Sequence, residues 1–406
     1  MHYGSRGGLG RRVSWVLPRT YRGVVIAAND ISDFGPRRAV RVRCLKHVII
    51  WVAGILVFAS ASARAEEFSP TLQQLNHRAF TRLEGAPSDL YALTQTADGM
   101  LWLGSQTGLT RFDGMKFINY PEQSDDPLPS INVNALMGSP DGGLWIGFRL
   151  GGVCFLRNGH VTQYEALDEL RLGSVYRFAY DRDGSLLVAT AGGLVQLRGK
   201  MPQKIAPDVI QSAVDVMLDH SGTLWVATLQ NVVARARGDT QFHEVSKVKQ
   251  LAAAFTRVLA EAPDGHVWAL GADGVLTRLD AFAPESTLSM HAGKAYPGRL
   301  LIDSSGDYWL FGSDQSVMRW PADKVAADTQ SQEREVHAEV FSKADGLTGS
   351  PLSIFEDREH NIWIGTILGL DRFRPEQGRT CGAPMHQRIR LCACHGRRRG
   401  TLGDLL

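Results

Sequence analysis

One phrase recurs along the chain: Asp98-Gly99-Met100-Leu101-Trp102, Asp141-Gly142-Gly143-Leu144-Trp145, Asp183-Gly184-Ser185-Leu186-Leu187 and Ser221-Gly222-Thr223-Leu224-Trp225. Three more copies follow at Asp264-Gly265-His266-Val267-Trp268, Ser305-Gly306-Asp307-Tyr308-Trp309 and His360-Asn361-Ile362-Trp363. The anchor position steps through 102, 145, 187, 225, 268, 309 and 363, with intervals of 43, 42, 38, 43, 41 and 54 residues. A period near 40 suits one four-stranded propeller blade.

Each copy repeats the same local logic. An apolar run such as Leu90-Tyr91-Ala92-Leu93 leads into the Asp-Gly turn, then Leu101-Trp102-Leu103-Gly104, then Gly108-Leu109-Thr110-Arg111-Phe112. Asp-Gly between two apolar runs predicts a tight hairpin, here a type I′ turn with positive φ at both central residues. The tryptophan at the head of the second strand supplies a large apolar side chain for the space between neighbouring blades; Leu187 is the one conservative departure.

Strands without intervening helices leave a closed propeller or an open solenoid. A ring hides its sheet edges, whereas an open stack must cap both ends, and no cap-like segment is evident. The fold class is therefore all-β, a seven-bladed β-propeller of four-stranded antiparallel blades. The longer last interval is filled by Glu335 to Gly349, read as an outer strand from Ala338 to Ser342 plus a loop.

The balance of 44 Lys plus Arg against 42 Asp plus Glu conceals three unlike parts. Residues 1–65 carry 11 basic and 2 acidic residues and residues 379–406 carry 6 and 1, which leaves 27 against 39 for the repeats. A net charge of −12 opposes condensation on phosphate backbones and argues against nucleic acid as a partner.

Arg41, Arg43 and Lys46 precede a 14-residue, largely apolar run from Val48 to Ala61, and Ala63-Arg64-Ala65 follows. That order is a signal peptide over residues 40–65, since spanning a bilayer takes about 20 apolar residues. Residues 1–39 read as an unstructured or spurious extension, the propeller as 66–378, and 379–406 as a disordered or out-of-frame tail. Cys392-Ala393-Cys394-His395 in that tail lacks the spacing of a metal motif, and Cys154 stands alone on a strand, so neither metal nor disulfide framework is expected.

The phrases Tyr91-Ala92-Leu93-Thr94-Gln95-Thr96-Ala97-Asp98-Gly99-Met100-Leu101-Trp102-Leu103-Gly104 and Ile354-Phe355-Glu356-Asp357-Arg358-Glu359-His360-Asn361-Ile362-Trp363-Ile364-Gly365-Thr366 are each followed by Gly-Leu-x-Arg-Phe. This pattern resembles the two-component regulator propeller repeat, over about Leu83 to Arg374. The resemblance implies a periplasmic sensor, commonly followed by an immunoglobulin-like domain, a transmembrane helix and a histidine kinase or diguanylate cyclase. No kinase phosphoacceptor segment, nucleotide-binding glycine box or spanning run follows the repeats in this sequence, so the chain is expected to bind and not to transfer phosphate. Family sensors often carry about twice as many repeats, as paired propellers, and a homodimer is compatible with these features.

Loops from successive blades converge on one face of a propeller at the mouth of its central channel. Ahead of the inner strands lie Asn132, Tyr176, Arg177, Arg257 and Arg299; after the second strands lie Gln106, Arg149, Gln230 and Asp314. This polar and aromatic rim is the expected ligand-binding region, suited to an oligosaccharide or an anion, with no cofactor. Asp181-Arg182-Asp183-Gly184 opens like a calcium loop but lacks its later ligands and is read as a hairpin. No nucleophile elbow occurs, and the repeat histidines scatter over turns. The expected role is a periplasmic sensor propeller; the alternatives are a lyase resembling streptogramin lyase and a protein-docking scaffold.

Overall fold

The computed structural model describes residues 71–374, apart from 121–125, 165–169, 171, 247–257, 272–273, 280–288, 292–294, 313, 323 and 326–337. The described residues thus fall within one compact unit, Ser69–Leu406. The assigned leader over 40–65, the extension before it and the tail from 379 lie outside them. No helix among the described residues is long and apolar enough to cross a membrane.

These residues form seven four-stranded antiparallel sheets, each a blade. The first strands are Leu90–Gln95, Val133–Gly138, Val175–Tyr180, Asp215–Leu218, Leu259–Glu261, Ala295–Ile302 and Pro351–Glu356, for blades one to seven. Each first strand contacts the first strand of the next blade, and that of blade seven contacts that of blade one, so the ring is closed. The last blade completes itself with a strand from the other end of the chain: Asn76–Thr81 pairs antiparallel with Gly369–Arg374, from Asn76 against Arg374 to Thr81 against Gly369. Glu339–Phe341 forms the outer strand of blade six, inside the stretch the sequence assigned to it.

The apolar core is divided among the seams between blades. Seven hydrophobic clusters each join one blade to the next; Trp225 packs with Val258 and Leu259, Trp268 with Leu300 and Leu310, and Trp363 with Phe80, Leu90 and Phe112. The tryptophans therefore fill the inter-blade space as their position in the repeat requires. Glycine two residues after the anchor serves the same seam. A Cβ on Gly104 would stand 2.5 Å from Val133 Cγ1, and one on Gly147 would stand 2.4 Å from Val175 Cγ1, in each case on the next blade's inner strand.

The hairpin between first and second strands differs from the expected type I′ turn. Thr96 N–H donates to Met100 O at 3.0 Å and Gly99 N–H to Thr96 O at 2.9 Å, and only the glycine has positive φ, +87°. This is a three-residue loop, a type I turn followed by a left-handed residue. Gly142, Gly184, Gly222, Gly265 and Gly306 repeat it, and His360 takes the same place in blade seven at φ 61°. The extra residue is what allows the turn to be capped from inside. In blades four, six and seven an aspartate six residues before the tryptophan takes turn N–H groups on one oxygen and the indole Nε1–H on the other. The indole distances are 2.7 Å for Asp219–Trp225, 2.8 Å for Asp303–Trp309 and 2.7 Å for Asp357–Trp363.

The final residue of an inner strand also latches the preceding blade. Gln95 Oε1 accepts from Arg358 N at 3.1 Å, Glu261 from His220 N at 3.1 Å, Glu356 from Ser304 N at 2.9 Å, and the Tyr180 hydroxyl from Trp145 Nε1 at 2.9 Å.

Candidate functional site

Regular pairing would give every blade the same channel surface, but the inner strands are not regular. Their register slips at one recurring place: at Tyr91 in blade one, Asn134 in blade two, Tyr176 in blade three, residues 297–299 in blade six and Leu352 in blade seven. An extra residue in one strand leaves the ladder and re-aims its side chain. Tyr91, Asn134, Tyr176, Arg177, Arg299 and Ser353 accordingly line a cavity of about 200 Å³ at the inner strands.

Much of that lining is already occupied. Asn134 Nδ2 donates to Val175 O at 2.6 Å, Ser353 Oγ to Leu90 O at 2.7 Å, and Thr94 Oγ1 accepts from Gly138 N at 3.2 Å. Each bond crosses to a neighbouring blade and fixes the bulged strand in place. The two guanidiniums are far less satisfied. Arg299 Nη2 donates to Tyr91 O at 3.0 Å, whereas its Nε–H is buried without a hydrogen-bond partner. Arg177 makes one ion pair, Nε to Asp215 Oδ1 at 3.6 Å, which is longer than a hydrogen bond.

Asp215, fully buried, is the counter-charge and is itself heavily engaged. It accepts from Val216 N at 2.9 Å on one oxygen and from Val258 N and Leu259 N, both at 2.9 Å, on the other. Burial, reinforced by the repulsion of Arg177 and eased by Asp215, pulls the Arg299 guanidinium down to about 10. It stays protonated at neutral pH. Among the described residues two cations face one anion here, a positive excess. The three residues hold equivalent places, ten residues before the anchors at 187, 225 and 309.

The rim residues expected from sequence divide into three groups. Tyr176, Arg177 and Arg299 line the cavity, and Gln106 and Arg149 reach the same site through Tyr91. Gln106 Nε2 donates to the Tyr91 hydroxyl at 2.7 Å, and the Arg149 guanidinium lies 5.5 Å from the centre of the Tyr91 ring. Asn132, Gln230 and Asp314 are not among the residues lining that cavity. Asn132 O accepts from Arg149 N at 3.0 Å, Gln230 N donates to Thr228 Oγ1 at 3.1 Å, and Asp314 Oδ1 caps Ser316 N at 3.2 Å. Arg257 lies outside the described residues. Tyr91 and Asp215 were not anticipated, because one sits inside an apolar run and the other between two valines. Counting back from the anchors would have found both.

Other clusters have structural tasks. On the opposite face, His220 bonds Glu261, and Ser304 and His360 bond Glu356 (Ser304 Oγ to His360 Nδ1 2.8 Å), around a cavity of about 520 Å³. These are the seam latches. A cleft of about 1080 Å³ lies beside the closing segment, where Asn119 is held by Thr110 at 2.8 Å and Tyr120 by Asp126 O at 3.1 Å. Asp181 to Gly184 is a hairpin turn, as read, with Gly184 N donating to Asp181 O at 3.0 Å. Cys154 is buried on its strand, and burial pushes its thiol up to about 12. Among the described residues no group of three or more His, Cys, Asp or Glu could hold a metal ion.

No family model and no curated protein matches the sequence. Solved structures do match. The extracellular domain of BT3049 from B. thetaiotaomicron, assigned to a hybrid two-component system, aligns with a TM-score of 0.59 at 17% identity, over 74% of this chain and 42% of that one. The corresponding domain of BT4673 from the same organism gives 0.59 at 18%, over 75% and 40%. Virginiamycin B lyase from Staphylococcus aureus, in an inactive histidine-to-alanine form with quinupristin, gives 0.58 at 13%, over 74% and 99%. The chain thus spans about two-fifths of the two extracellular domains and nearly all of the lyase. At these identities the likeness is one of fold, and it places the chain among seven-bladed β-propellers that include extracellular domains of two-component systems.

Proposed function

We propose that this propeller is the ligand-binding part of an exported sensor of the two-component regulator propeller type. The observation that carries the reading is the set of bulges at one level of five inner strands. They turn aromatic and cationic side chains into the channel while every seam around them is tightly made. A scaffold needing only its outer surface has no use for such departures from its repeat. The repeat pattern and the likeness to two extracellular domains support the same reading. Output would rest with other modules, because a binding event signals only by favouring one arrangement of partners over another.

The lyase reading lacks an observation of its own. Acid–base chemistry in the channel would need a group free to exchange a proton. The described lining offers two guanidiniums and two phenols, and the carboxylate paired with Arg177, that of Asp215, already accepts from three backbone N–H groups.

Thermal unfolding of the purified full chain with a panel of sugars and small acids tests the proposal. A ligand that binds only the folded state at a hundred times its Kd adds about 2.7 kcal/mol, a shift of several degrees. The expected result is a saturable rise that Tyr91→Ala or Tyr176→Ala weakens. Cooperative unfolding unmoved by every compound would reject a small-ligand sensor and favour a docking scaffold.

A further inference from the structure

We propose that the channel ligand is a small oxyanion, in the first instance the carboxylate of an organic acid or acidic monosaccharide, seated between Arg177 and Arg299. This inference rests on the ligand-binding reading above and narrows it to a chemical class.

Elimination leads there. The neutral polar groups of the lining are each tied to a neighbouring blade: Asn134 Nδ2 and Ser353 Oγ donate to backbone carbonyls there, and Thr94 Oγ1 accepts from a backbone N–H. The charged donors left unspent are those of Arg177 and the buried Nε–H of Arg299, beside the Tyr176 hydroxyl, which makes no hydrogen bond among the described residues. Donors without acceptors, around a positive excess, call for an acceptor-only guest with negative charge. A carboxylate or other oxyanion meets that need, because its oxygens match the paired N–H groups of a guanidinium.

A buried N–H left unpaired is costly, and a buried cation beside another cation more so. A guest anion would relieve both penalties at once, whereas a neutral sugar would relieve only the first. Size sets the remaining limit. At about 200 Å³ the cavity falls below the roughly 300–1,000 Å³ of drug-sized pockets. A single small acid or one sugar ring fits that scale and an oligosaccharide does not. Tyr91 and Tyr176 add flat apolar walls on which the body of such a molecule can lie.

Calorimetric titration of the full chain in low-chloride buffer is the test, using galacturonate, glucuronate, succinate, inorganic phosphate, sulfate, and neutral galactose and glucose. The expected result is one saturable site for at least one anion, with no heat from the neutral sugars. Arg177→Gln and Arg299→Gln should each weaken that site about tenfold or more, the scale of a charge-assisted hydrogen bond. Arg177→Lys, which keeps the charge but loses the fork, should retain part of the affinity and covers the case where the glutamine variant does not fold. Binding by carboxylates alone points to an organic acid, and binding by phosphate or sulfate alone to an inorganic oxyanion; either supports the site. Anion binding left intact by both glutamine variants overturns it. Binding of neutral sugars alone overturns the anion class but leaves the sensor reading standing, and no binding by any compound removes both.

Discussion

The repeated tryptophan provides an internal experiment, because one substitution can be made in the same seam position with and without a hydrogen bond. Trp225, Trp363 and Trp268 are 3%, 5% and 3% exposed, so replacement by phenylalanine removes a similar apolar contribution from each, about 1–2 kcal/mol. Their indole nitrogens differ. Those of Trp225 and Trp363 donate to Asp219 and Asp357 at 2.7 Å, while Trp268 Nε1 is buried without a partner, because Ala262 stands where the aspartate would be. Removing a donor from a buried carboxylate adds about 1.5–3 kcal/mol to the cost, and removing an orphaned donor returns about 1–3 kcal/mol. Trp225→Phe and Trp363→Phe should therefore cost about 3–4 kcal/mol and Trp268→Phe close to none. Urea unfolding at constant m reads the difference as a shift in midpoint. The turn at Ala262 has the same bonds as that at Asp219, with Gly265 N to Ala262 O at 2.8 Å beside Gly222 N to Asp219 O at 2.9 Å. Ala262→Asp can then supply the missing acceptor, and a cycle with Trp268→Phe should show a favourable coupling of about 1–2 kcal/mol. Equal losses at all three tryptophans, with no coupling in the cycle, would refute the assignment of the bond as a seam element.

Three further outcomes are expected. Gly147→Ala should cost about 1–3 kcal/mol in chemical unfolding, because its Cβ would meet Val175 Cγ1 at 2.4 Å and Val175 Cβ at 2.8 Å on the adjoining blade. The same change at Gly99, with φ +87° but open space around it, should cost only about 1 kcal/mol. Burial, offset in part by Trp309 and reinforced by Asp307, raises the Asp303 carboxyl from 3.8 to about 6. The native state then binds the extra proton between those values, so this group's contribution to stability falls as pH rises from about 4 to about 6 and is level above. Midpoints recorded across that range should lose the slope in Asp303→Asn, whatever the absolute stability of the variant. Phe80, 1% exposed on the closing strand and in ring contact with Phe112 and Trp363, should cost about 3–5 kcal/mol as alanine, with early proteolytic cleavage in Asn76–Thr81.

The architecture was legible because its signals are local and repeated. Turn and anchor fall within a few residues of one another in every copy, and seven copies average out the exceptions at Leu187 and His360. Closure was legible only as a requirement. The strand that provides it, Asn76–Thr81, pairs with residues some 290 positions away and carries no mark of that partnership. The type I′ expectation failed for a related reason: Asp-Gly does not reveal how many residues the loop holds, and the same three-residue loop forms whether an aspartate or Ala262 stands six places before the tryptophan. Among the rim residues, Tyr176, Arg177 and Arg299 lie at bulged inner strands and line the cavity, and of those in the turns after the second strands Gln106 and Arg149 meet Tyr91 while Gln230 and Asp314 do not line the cavity. A bulge breaks the period of two on which strand reading depends, so the placement of Tyr91 and Tyr176 is invisible to a scan for alternation.

The pattern of constancy along the chain separates scaffold from site. At the anchor and at the turn the blades agree closely, and the anchor's agreement has a seam to explain it. Ten residues before the anchor they diverge, with five residue types at seven positions: Ala92, Ala135, Arg177, Asp215, Val258, Arg299 and Ser353. Arg177 and Arg299 belong to blades three and six, so their separation is set by the intervening seams and by closure through Asn76–Thr81. A channel built this way holds its cations apart before any ligand arrives, and the ordering cost of binding is already met in the folding of the ring. Loosening the closing strand should then weaken a ligand held by both arginines while the pair's nearest contacts stay intact, a coupling that a site built within one blade would not show.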